Sequence, residues 1–164
     1  MRRIRAQPLE ARAFAAFGHV IDTAGRAAER INDGTTQRFS DLAALDLRAP
    51  GRDPALGIYV ARARTFPLHI ARLERHRQAA QVFLPLGPYR FIVVVAAGAD
   101  APSWDTVRAF ITSPGQGVSL NRGCWHHGLV ALADGDRFAV IEGGDYRNDT
   151  EEAAAGAELE LVAP

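Results

Sequence analysis

Between Gly57 and Glu142 the chain is divided into short apolar or alternating segments, and this punctuation constrains the fold more than any other feature. The segments are Gly57 to Ala63, Leu68 to His76, Val82 to Pro85, Arg90 to Ala96, Val107 to Thr112, Gly117 to Asn121, Leu129 to Leu132 and Arg137 to Glu142. Turn chemistry at Gly87–Pro88, Gly98 to Pro102, Ser113 to Gly115 and Asp134 to Asp136 separates them. Many short strands with few helical stretches predict an all-β sandwich or closed barrel, not alternating strand and helix units.

Ahead of that region Leu9, Ala13, Phe14 and Phe17 recur at helical spacing and Gly18 supplies a stop, which predicts an N-terminal helix over residues 8–17. Residues 22–37 are polar and rich in Gly, Thr and Asn, and read as a loop. The acidic, alanine-rich stretch Glu151 to Glu158 reads as a short helix or a loose tail. With 164 residues and 48% hydrophobic content, residues 1–164 are expected to form a single domain.

Charge narrows the partners. Nineteen basic and nineteen acidic residues cancel, so no net field favours nucleic acid or an anionic membrane. Every basic residue is arginine; the absence of lysine removes Schiff-base chemistry and the phosphate-loop lysine. Arginine suits bidentate grip of a carboxylate, so a small carboxylic acid is a natural ligand class. The lone Cys124 excludes an intrachain disulfide and a multi-cysteine zinc site, and fits a reducing cytoplasm. Met1 to Arg12 carries no apolar run of signal-peptide type.

Two histidine clusters carry the chemistry. In LERHRQAAQVFLPLG, Glu74 and His76 lie two apart, so on a strand both project from one face, with Gln81 following across a bend. In QGVSLNRGCWHHGL, alternation turns His126 away from Trp125 and His127, so one histidine of the pair faces inward. The alternative for Glu74 is a solvated ion-pair cluster with Arg72, Arg75 and Arg77. His19 and His69 read as hydrogen-bonded surface or core residues, His127 and Trp125 as packing groups, and Cys124 as a small strand residue.

The spacing of both clusters resembles the paired motifs of the cupin superfamily. The first motif places two histidines two apart with a glutamate five beyond, where this chain has Glu74, His76 and Gln81. The second has a glycine, a proline, a glycine and a histidine, where it has Gly115, Asn121, Gly123 and His126. The resemblance implies a cupin-like double-stranded β-helix or barrel with an N-terminal helix, pairing as a homodimer. Where a metal is present, Glu74, His76, Gln81 and His126 would be its ligands; the amide of Gln81 is a weak one, so a divalent ion would bind weakly and none is required.

INDG at Ile31 to Gly34, RFSDLA at Arg38 to Ala43, LERH at Leu73 to His76, QVFLPL at Gln81 to Leu86, RAFIT at Arg108 to Thr112, QGV at Gln116 to Val118 and WHH at Trp125 to His127 further resemble, in that order, the ureidoglycolate lyase family. The chain departs from that family at Arg77 and Gly128, where proline is usual. It departs again at Glu142 before Gly143 and Gly144, where the family shows an aspartate–arginine pair. The resemblance implies elimination of urea from ureidoglycolate to give glyoxylate, in allantoin catabolism.

Such an elimination needs a base for the carbinol proton and an acid for the departing nitrogen. His126 or His76 is expected to take the proton, with Glu74 orienting or sharing it. Arg108, Arg38 and Arg62 are candidates to hold the substrate carboxylate, and Asn32 and Gln81 to hydrogen-bond the substrate; for Asn32 a turn-forming role is the alternative. A metal-dependent cupin isomerase or dioxygenase acting on a small carboxylic or sugar acid, and a non-catalytic carboxylate-binding cupin, are the competing functions.

Overall fold

The computed structural model describes residues 1–155 and 158–164. The alternating segments become strands of two facing sheets. One, with seven strands, runs in the order Thr150–Ala154, Arg72–His76, Trp125–His126, Phe91–Ala96, Arg108–Ile111, Ala6–Pro8, and Val130–Ala131 also pairs with Phe91–Ala96. The other, with five, runs Gly18–Ile21, Gly117–Leu120, Gln81–Pro85, Arg137–Glu142, Ala55–Val60, all antiparallel.

Strand period decides what fills the space between them. Phe91, Val93 and Val95 point inward from the seven-stranded sheet and meet Phe83, Val118, Leu120, Phe138 and Val140 from the five-stranded one. The opposite face of the same central strand, Ile92, Val94 and Ala96, packs a second core with Leu73, Trp125 and Ile70. A small sheet of Arg2–Ile4, Leu159–Leu161 and Leu68–His69 covers it through Ile4, Leu68, Leu159 and Leu161. Phe91–Ala96 is therefore buried on both faces, which is why it reads as a continuous apolar run. The all-β expectation is met.

Four local expectations need correction. The N-terminal helix covers only Ala11–Phe14, because residues 2–4 and 6–8 are strands pairing in parallel with Leu159–Leu161 and Arg108–Ile111. Phe14 and Phe17 are buried as their spacing implied. Leu68 to His76 is not one strand but two, in different sheets. The segment 22–37 contains part of a hairpin, Glu29–Ile31 with Thr36–Arg38, whose turn holds Asn32, Asp33 and Gly34 at positive φ. Within Glu151 to Glu158, residues 151–154 belong to strand Thr150–Ala154, paired with Arg72–His76; positions 156 and 157 lie outside the described residues.

Among the described residues no helix is long and apolar enough to cross a membrane. Ala55–Val60 forms an edge of the five-stranded sheet and turns Leu56, Ile58 and Val60 outward, 70%, 48% and 67% exposed.

Candidate active site

The site forms where the two sheets meet. Glu74 and His76 share one face of strand Arg72–His76; residues 77–80 then bend the chain into the other sheet, so Gln81 returns opposite them. Trp125–His126 pairs with that first strand with His126 directly across from Glu74. Both sequence clusters therefore converge: one oxygen of Glu74 and one nitrogen each of His76 and His126 lie within 4.8 Å of one another.

His126 is 2% exposed, and Trp125 enters the opposite core, as alternation implied. The Nδ1–H of His126 is oriented to donate to the Cys124 carbonyl at 2.9 Å, which leaves the Nε2 lone pair facing Glu74 Oε1 at 3.6 Å. Burial pushes its pKa down to about 4, partly opposed by that backbone hydrogen bond, so the ring is neutral at physiological pH. The ring of His76 stacks obliquely beside it, centroids 5.3 Å apart. Burial raises the Glu74 carboxyl above the usual carboxylate range, and the opposing attraction of His76 is weaker.

The ion-pair alternative for Glu74 is not what forms. Arg75 and Arg77 both pair with Glu151, and Arg72 with Glu152. Arg75 is 3% exposed on the other face of its strand, its guanidinium 4.3 Å from the Trp125 ring centroid; a desolvated cation–π contact of this kind contributes about 2 kcal/mol. Arg75 and Arg77 brace the strand from behind and leave the Glu74 carboxylate for the cavity.

That cavity, about 360 Å³, is lined by Glu74, His76 and Gln81 together with Gly57, Tyr59, Glu142, Tyr146 and Thr150. The last five escaped the sequence reading of the site. Glu142 carried a signal, standing where the family has its aspartate–arginine pair, and register explains it: Glu142 is the cross-strand partner of Gln81. Gln81 Nε2 donates to Glu142 Oε1 at 2.6 Å and Tyr59 Oη donates to the same oxygen at 3.4 Å. The amide is thus fixed with Oε1 free as an acceptor. Burial, reinforced by Glu142, pushes the Tyr59 hydroxyl up to about 12.

Three buried atoms around the cluster, His76 Nε2, Gln81 Oε1 and His126 Nε2, have no hydrogen-bond partner among the described residues. Buried polar atoms are ordinarily satisfied, so such a group calls for something to fill it. Two imidazole nitrogens and a carboxylate within 4.8 Å of one another make a donor set that suits a first-row divalent cation. Cys124 is no nucleophile: burial pushes its thiol up to about 12.

The other candidates lie elsewhere. Arg108 Nη1 and Nη2 bond the Ala13 carbonyl and Gln7 Oε1, with the guanidinium over Phe110. Arg38 pairs with Glu29 across the hairpin, and Asn32 occupies its turn with Nδ2 donating to Thr36 Oγ1. Arg62 lines a separate depression of about 710 Å³. None of these four lines the cavity holding the cluster.

Comparison with known proteins places this geometry in a family context. The family model described as ureidoglycolate lyase matches residues 1–162. The ureidoglycolate lyase of Burkholderia mallei is 42% identical over 93% of this chain and 89% of its own length. That of Azotobacter vinelandii is 41% identical over 99% and 98%. That of Pseudomonas savastanoi pv. phaseolicola is 39% identical over 100% and 97%. Among solved structures, a 3,4-ketoisomerase from Helicobacter canadensis aligns with a TM-score of 0.44 at 15% identity, covering 80% of this chain and 87% of that one.

Proposed function

Since the chain belongs to the ureidoglycolate lyase family, we propose that it eliminates urea from ureidoglycolate to give glyoxylate, a carbon–nitrogen lyase reaction of allantoin breakdown. The observation that carries the reading beyond family membership is the clustering of Glu74 with His76 and His126, whose Nε2 atoms find no hydrogen-bond partner among the described residues, beside a small cavity that Glu74, His76 and Gln81 line.

The substrate carries a hydroxyl, a carboxylate and a ureido nitrogen on one carbon. Glu74 takes the carbinol proton, since burial makes it a stronger base than an ordinary carboxylate. This shifts the role from the expected His126 or His76; the depressed pKa of His126 makes it a weak base but a good neutral acceptor. As the carbonyl forms, the carbon–nitrogen bonding pair passes to nitrogen, which takes a proton from the Tyr59 hydroxyl, held protonated at neutral pH. Gln81 Oε1, locked by Glu142, accepts from the ureido N–H groups. Glu74 returns its proton to Tyr59 through solvent as the products leave.

When a divalent cation is bound, Glu74, His76 and His126 hold it with Gln81 as a weaker fourth ligand, and the chemistry it supplies is positive charge beside a developing alkoxide. A homodimer is supported by the outward row Leu56, Ile58 and Val60 on a sheet edge. A cytoplasmic location is supported by the single cysteine.

Incubation with racemic ureidoglycolate tests the reaction. Urea and glyoxylate should appear in equal amounts without ammonia; ammonia release would instead mark a hydrolase that opens the ureido group.

A further inference from the structure

The mechanism leaves the substrate carboxylate without a partner. Among the described residues the cluster cavity offers two carboxyl groups, Glu74 and Glu142, and no arginine, so an anion there is repelled and not held. On the other side of Glu74 lies a second cavity of about 370 Å³, whose lining includes Arg64, His69, Arg72, Glu74, His127 and Gly128. Glu74 is the wall common to both.

We propose that Arg72 and Arg64 form the carboxylate subsite of the enzyme, separated from the histidines by Glu74. Arg72 precedes Glu74 by two residues on the same strand face, roughly 7 Å along the strand, a span that one small hydroxy acid covers. Its only acidic partner among the described residues is Glu152, at 3.5 Å, with both side chains largely exposed. So loose a pair contributes about 0–1 kcal/mol and yields to an incoming carboxylate. Arg64 has no carboxylate within 4.0 Å among the described residues, and it also lines the 710 Å³ depression that contains Tyr59. Tyr59 in turn lines the cluster cavity, so Arg64 and Tyr59 are wall residues that link the three depressions.

With the carbinol oxygen at Glu74, the carboxylate then points toward the arginines and the ureido arm toward Gln81 and Tyr59. The same arrangement orders the substrate: an anion is accepted on one side of Glu74 and a neutral hydrogen-bonding arm on the other.

The proposal rests on the lyase reading, and the test separates the two. Glyoxylate binding to the purified enzyme, followed by calorimetry, needs no turnover. Arg72→Gln and Arg64→Gln should each weaken it roughly tenfold or more and raise KM for ureidoglycolate alike, with kcat within about threefold. Arg72→Lys should recover part of the loss. Glu152→Gln removes the surface pair together with a like-charge neighbour of Glu74, and should leave glyoxylate binding and KM no weaker than in the parent. Folded arginine variants that bind glyoxylate as tightly as the parent, or a Glu152→Gln variant that reproduces the Arg72→Gln defect, would overturn the subsite. A parent that binds glyoxylate through these arginines yet leaves ureidoglycolate intact would keep the subsite and sink the lyase reading.

Discussion

Replacing Gln81 with glutamate, which recreates the carboxylate of the first cupin motif, is expected to harm this protein. Gln81 Nε2 lies 2.6 Å from Glu142 Oε1, and Gln81 is only 6% exposed. In Gln81→Glu that donor becomes an acceptor, and two carboxylates at about 3 Å repel by roughly 5 kcal/mol at an effective dielectric of about 20. Protonation caps the penalty. A glutamic acid at position 81 donates to Glu142 as the amide did, and keeping it protonated at pH 7 against a reference pKa of about 4.3 costs about 3.7 kcal/mol. The folded-state pKa of the introduced group lies above its unfolded value, so stability is fully present below about pH 4.3 and falls by about 1.4 kcal/mol per pH unit above it. Urea unfolding should therefore show Gln81→Glu destabilised by about 1 kcal/mol at pH 5 and about 3–4 kcal/mol at pH 7 relative to the parent. The swap Gln81→Glu with Glu142→Gln should restore most of the loss, because the donor–acceptor pair is re-formed in reverse. Equal destabilisation at both pH values, or a double variant no better than the single, would refute this account of why a glutamine stands there.

Three further outcomes follow from the same geometry. His127→Ala should keep turnover within about threefold of the parent, because its ring points away from the cluster and its Nδ1 meets the Gly128 carbonyl; a loss comparable to removing His126 would contradict that orientation. His126 has a folded pKa near 4, below its usual unfolded value, so its contribution to stability is present above about pH 6.5 and lost as pH falls through 4. His126→Asn should accordingly flatten the loss of melting temperature between pH 6.5 and 4, and an unchanged slope would count against a buried neutral ring. Dialysis against chelator should leave the circular dichroism spectrum and cooperative melting intact, since the cores on both sides of the central strand are apolar and complete without an ion; global unfolding on chelation would show the opposite.

How much was legible in the sequence follows the range of the forces involved. Period-two alternation is local, so it assigned Glu74 and His76 to one face and His126 to the interior, and register brought them together. Pairings between distant strands are not local. The strands at residues 2–4 and 6–8 exist because they pair with partners more than a hundred positions away, overriding the helical spacing of Leu9, Phe14 and Phe17. Glu151 and Glu152 look helical by composition, but strand pairing with Arg75 and Glu74 decides their structure. The arginines were the least readable: nineteen stand in the chain, and only the fold distinguishes Arg64 and Arg72, beside Glu74, from Arg108, tied to Gln7. Glu142 was visible as a departure from the family pattern, but its meaning needed the cross-strand register with Gln81.

The central claim is that the Glu74 cluster performs the proton transfers of carbon–nitrogen cleavage. It is tested most directly by the rate of glyoxylate formation from ureidoglycolate by Glu74→Gln, compared with the parent under conditions where both are shown to be folded. Removing a positioned base predicts a kcat lower by roughly a hundredfold or more, with the pH dependence assigned to the raised Glu74 carboxyl lost. A folded Glu74→Gln enzyme that releases glyoxylate at the parent rate, with the parent pH profile, would contradict it.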